Sequence, residues 1–218
     1  MKLRIALVMT LAVLGLFAWS QRASETSAEL GQPSLVWWLD NPAQVSGAVV
    51  PDAYSVLQRG YYSVAISIHT SGLTPDHAYT LWYVVFQNPR SCSGNCDEDD
   101  INAVLIGGPN PVGIGVHYGG SMIAPESGKA DIGSRLLEDT TETCATVLPY
   151  SKLCTPMRDS ATAEVMVFLL DNGPASSAAS IDAFDDGCRR MVWFGYVVAD
   201  YASTGFDCYR AQSTYHRP

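Results

Sequence analysis

Apolar and polar residues alternate along residues 61–69. Tyr62, Val64, Ile66 and Ile68 fall on one side, and Tyr61, Ser63, Ala65, Ser67 and His69 on the other. A period of two, carried by β-branched and aromatic residues, predicts a strand with one face on a core. Ser71 and Gly72 break the run, and Pro75-Asp76 marks a turn, because proline presets φ and aspartate tolerates turn geometry. A second run over residues 78–86 is apolar on both sides, with Tyr79, Leu81, Tyr83 and Val85 facing one way and Trp82, Val84 and Phe86 the other. That pattern predicts a central strand covered twice. Pro89 ends the stretch, having no N–H to give to a ladder.

The rest of the chain reads as shorter strands between turn signals. Residues 35–39 form a first strand or a capping element, 103–106 a short strand, and 112–124 a strand marked by glycines. A turn at 126–129 joins the last of these to a strand within 127–137. Residues 163–170 and 191–199 are strong strands, the former ended by 171–174. Residues 138–159 are a long excursion, 176–184 have the composition of a short helical turn, and 201–218 read as a polar tail tied down by Cys208. The pattern has no long amphipathic helix. It predicts an all-β protein, a Greek-key (immunoglobulin-like) β-sandwich of about seven to nine strands with long disulfide-stapled loops.

Three resemblances bear on this reading. Leu73, Pro75 and Tyr79 have the spacing of the tyrosine corner, and the turn resembles that of immunoglobulin-like and fibronectin type III sandwiches. The resemblance implies that the Tyr79 hydroxyl bonds back to backbone near the turn. Gly72-Leu73-Thr74 also resembles the turn before the metal strand of copper/zinc superoxide dismutases. Laid on that pattern, the two copper histidines fall at Leu81 and Tyr83, so the copper site and its redox chemistry do not carry over. The stretch AYTLWYVVFQNPRSCSGNCDEDD is most similar to a segment of uncharacterised secreted bacterial proteins, of the form AYTxWWVxFNNPxxC…C followed by acids. That likeness implies export and no particular activity.

The chain start changes the picture. Lys2 and Arg4 precede an apolar run from residue 5 to residue 19, shorter than the ~20 residues that span a bilayer. Small residues near Ser20, and again near Ala28, suit cleavage by a signal peptidase. The predicted organisation is a signal peptide at 1–20, a flexible tail at 21–34 and a single β-sandwich domain at 35–218, secreted to the cell exterior, the periplasm or the cell surface. The competing reading of the start is an uncleaved anchor. The net charge is −9, and removal of Lys2 and Arg4 makes it two units more negative. Such a surface repels nucleic acid and anionic lipid. The expected partner is an extracellular ligand or protein, with no nucleic acid and no membrane span after cleavage.

All six cysteines lie beyond the apolar start: Cys92, Cys96, Cys144, Cys154, Cys188 and Cys208. An even count in an exported chain predicts disulfides, most simply between neighbours, each worth roughly 2–3 kcal/mol. Candidate chemistry is sparse. His69, His77, His117 and His216 fall in no metal-binding spacing, although strands could bring His69 and His117 together. The glycines of 112–124 lack a following helix or a Lys-Ser/Thr pair, which excludes nucleotide binding, and no Gly-x-Ser-x-Gly elbow is present. No cofactor is implied. The run Asp97, Glu98, Asp99 and Asp100 is a candidate ligand loop for a hard cation such as calcium, or else a solvated loop or a cap on the next element. Asp182, Asp185 and Asp186 form a second acidic loop. The sequence favours a secreted, noncatalytic sandwich with a binding or structural role. The alternative is a secreted enzyme or metal-binding protein whose site is formed by acidic loops and histidines.

Overall fold

The structure, a computed structural model, describes residues 31–38, 47–141, 153–175 and 209–218. Its strands are β1 (Gln32–Trp38), β2 (Val49–Gly60), β3 (Ser63–Thr70), β4 (His77–Phe86), β5 (Ile114–Ile123), β6 (Ala130–Leu137), β7 (Glu164–Pro174) and β8 (Tyr209–His216). Among the described residues there is one α-helix, α1 (Glu98–Leu105). All pairings are antiparallel, and the order β5-β4-β7-β8-β1-β2-β3-β6 makes one eight-stranded sheet. β5 and β6 end that order and approach each other, with Ser134 Oγ donating to Gly119 O at 2.6 Å across the gap. The all-β expectation therefore takes the form of one nearly closed, barrel-like sheet rather than two stacked ones.

The two-sided apolar pattern of β4 follows from two cores. Leu81, Tyr83 and Val85 point into the barrel, among Val36, Leu57, Ile66 and Val167. Trp82, Val84 and Phe86 point outward, where Ile101 and Val104 of α1 cover them together with Phe168. Trp82 meets Tyr118 edge-on with ring centroids 5.4 Å apart. Each large apolar side chain buried this way contributes roughly 1.5–3 kcal/mol. β4 is thus covered twice, as its sequence requires.

Four stretches depart from the sequence reading. Residues 103–106 are the end of α1 and its cap, not a strand. Asp97 accepts from Asp99 N–H, and Asp97 and Asp100 form a reciprocal capping box that satisfies the first N–H groups. With Ile101 and Val104 on one helical face, this cap outweighs the β preference of valine and isoleucine. β7 runs through 171–174, because Pro174 takes the last ladder position, opposite His77, where a missing N–H does least harm. The supposed polar tail contains β8, which sits between β7 and β1. β1 begins at Gln32, inside the segment read as a tail. Residues 191–199, the pairings of Cys144, Cys188 and Cys208, the signal segment and Asp182, Asp185 and Asp186 lie outside the described residues.

Candidate functional site

The outer face of β1, β2, β3 and β6 carries a level row of side chains. Leu35 pairs with Tyr54, Tyr54 with His69, and His69 with Asp131. Paired residues of an antiparallel sheet share a face, so these four project together. Tyr54 is 52% exposed. Its ring lies over His69 with centroids 5.3 Å apart and planes at 26°. His69 Nδ1 meets Asp131 Oδ1 at 2.6 Å, and the Asp131 side chain is 85% exposed. The next level is low, formed by Val56, Ser67 and Gly133. Tall side chains beside short ones leave a groove of about 200 Å³, lined by Tyr54, Ser67, His69, Asp131 and Gly133. A Cβ added at Gly133 would approach nothing nearer than Ile66 O at 3.9 Å, so the groove floor there is open.

The predicted ligand loop is built differently. Asp97 Oδ1 accepts from Asp99 N–H at 2.9 Å, while Asp100 Oδ2 accepts from Asp97 N–H at 3.2 Å and its Oδ1 from Ser93 N–H at 3.1 Å. These carboxylates cap α1 and brace the loop held by the Cys92–Cys96 disulfide. Cys92, Cys96 and Asp100 bring their sulfur and oxygen atoms within 4.8 Å, but the sulfurs bond to each other and offer no thiolate. Cys154 is also disulfide-bonded. Among the described residues, no histidine joins a cluster of three metal-ligating groups. His69, His117 and the acidic loop do not converge: His69 is on the outer face, His117 is buried on β5, and Asp97 and Asp100 cap α1.

The tyrosine-corner residues form a larger cluster than their spacing implies. Thr74 N–H donates to the Tyr79 hydroxyl at 2.9 Å, which donates to Asp171 Oδ2 at 3.0 Å. His77 Nδ1 meets the same carboxylate at 2.8 Å. Leu73 is buried beside Tyr79. Burial, with the Asp171 charge adding to it, pushes the Tyr79 phenol up to about 12 against the opposing Thr74 contact. The cluster ties the start of β4 to the far end of β7.

Sequence reasoning missed a buried polar network. Gln212, Thr214 and His216 point into the barrel from β8, opposite Leu169, Val167 and Val165. Ser55 Oγ lies 2.5 Å from Thr214 Oγ1 and 2.9 Å from His216 Nε2. Thr70 Oγ1 donates to Gln212 Oε1, whose amide donates to Ser71 O at 2.9 Å. Burial, with the Arg59 charge adding to it, lowers His216 to about 4 against an opposing contact with the Gln32 backbone. His117 is also lowered by burial, against its contact with Thr155 O at 3.0 Å. The alternation of Gln212, Thr214 and His216 was the available signal, but a polar alternation reads as a solvated edge. No protein-family model matches the chain, and comparison with curated proteins and with solved structures finds no match.

Proposed function

We propose that this is an exported, noncatalytic protein that binds a ligand outside the cell through the groove at Tyr54, His69 and Asp131. The observation that carries this reading is the groove itself, where an aromatic ring, an imidazole and an exposed carboxylate surround an open floor at Gly133. Concave sites with an aromatic wall and a few polar groups are the usual form of a small-ligand site. The remaining histidines with described contacts serve the fold: His77 holds Asp171, His117 meets Thr155 O, and His216 meets Ser55. Export is supported by the basic start, the apolar run and the even cysteine count. The finer fold reading is a Greek key, supported by a strand order that sets β3 beside β6 while β4 pairs with β5.

The test uses the full chain and an envelope extract of its native host. The wild-type melting temperature should rise by a few degrees with the extract, as binding to the folded state requires. The bound material should be recovered with unchanged mass. Gly133→Leu, which fills the groove at an open position, should abolish the rise while leaving the ligand-free melting temperature near that of the wild type. No rise, or an equal rise in the variant, overturns the reading.

A further inference from the structure

We infer that the groove on β2, β3 and β6 is a subsite for one ring of a neutral saccharide. The inference rests on the proposed binding role of that face and adds the ligand class. A pyranose presents a face of C–H groups and a rim of vicinal hydroxyls. The groove matches both: Tyr54, a half-exposed residue, offers the part of its ring that His69 does not cover, and Asp131 an exposed carboxylate that accepts from hydroxyls. Ser67 adds a hydroxyl at the floor, able to donate or accept. The volume of about 200 Å³ suits a single ring and not a bulky aromatic cofactor.

Other ligand classes fit less well. The net charge of −9 and the Asp131 carboxylate oppose phosphates, nucleotides and acidic sugars. A hard cation would need several oxygen ligands and an organic cation an aromatic cage, whereas Asp131 is the single carboxylate and Tyr54 the single phenol ring in the lining. An extended peptide adding to the sheet would need a free edge; β2 and β3 are paired on each side, and the unpaired edge of β6 faces β5, where Ser134 Oγ donates to Gly119 O.

The test is a printed array of neutral oligosaccharides of hexose and N-acetylhexosamine, with tetramethylammonium chloride as a cation probe in a parallel titration. The wild type should bind a subset of the glycans. Tyr54→Ala and Gly133→Leu should each lose at least tenfold in affinity, with melting temperatures close to wild type. Asp131→Asn should weaken binding less than Asp131→Ala, because the amide still accepts from one hydroxyl. Absence of glycan binding, binding that these variants leave intact, or saturable binding of tetramethylammonium at the groove each overturns the assignment. If glycans fail while the extract still stabilises the wild type and not Gly133→Leu, the groove remains a ligand site and the saccharide class alone is lost.

Discussion

At the scale of single residues, the barrel holds polar groups where apolar ones would pack more simply. His216 is the clearest case, at 1% exposure with Nε2 on Ser55. The Arg59 charge acts on it from β2, Arg217 follows it on the chain and pairs with Glu164 of β7, and Gln32 of β1 donates its side-chain amide to Arg217 O. Its folded-state value of about 4 lies below the ordinary 6.5. The unfolded chain therefore binds more protons between these values, and stability falls as pH drops from about 6.5 toward 4. The full contribution is about 3 kcal/mol, from ~1.4 kcal/mol for each pH unit that separates the two values. Urea midpoints at pH 7 and pH 4.5 should fall more steeply for the wild type than for His216→Asn. Parallel falls in the two proteins would exclude His216 as the acid-sensitive group.

At the scale of elements, legibility followed periodicity. β3 and β4 keep an unbroken period of two, so the alternation alone assigns Val64, Ile66 and Ile68 to the core and both faces of β4 to burial. β2 could not be assigned this way, because its inward residues Val50, Ala53, Ser55 and Leu57 are out of step. The register shifts opposite Leu35 and Trp37, and Asp52 takes φ of 57°. A bulge of this kind erases the alternation that marks a strand. β8 was hidden because its inward residues are polar and are satisfied only by distant partners. The groove was illegible for a related reason, since Tyr54, His69 and Asp131 belong to three strands and share no motif. The helix was legible in part: the four acids were visible, but their role depends on the cap geometry. Asp97→Ala should cost about 1 kcal/mol, the usual value of an N-cap, measured by denaturant midpoint. Millimolar calcium should leave the wild-type melting temperature unchanged, because Asp97 and Asp100 already accept backbone N–H groups. A calcium-dependent rise, lost in Asp99→Asn with Asp100→Asn, would restore the cation reading.

At the scale of the whole molecule, the open question in a nearly closed sheet is what holds the two end strands together. The described ladders pair β5 only with β4 and β6 only with β3, so closure depends on side-chain contacts across the gap. Ser134 Oγ reaches Gly119 O, and the absence of a side chain at Gly119 permits that approach. A Cβ there would lie 2.3 Å from Leu81 Cδ2, 2.8 Å from Tyr83 Cε2 and 3.0 Å from Ser134 Oγ. Leu81 and Tyr83 are fully buried in the barrel core and have little room to yield. Gly119→Ala should therefore cost about 1–3 kcal/mol through overpacking and should push β5 away from β6. Ser134→Ala removes one hydrogen bond without a clash and should cost about 1 kcal/mol. Hydrogen exchange separates the two effects. In Gly119→Ala the amides of β5 and β6 should lose protection while those of β1 and β2 keep theirs, because a local opening reports only the elements that open. Uniform loss of protection across all strands would mean that the seam is no weaker than the ladders, and the sheet would then behave as a fully closed barrel.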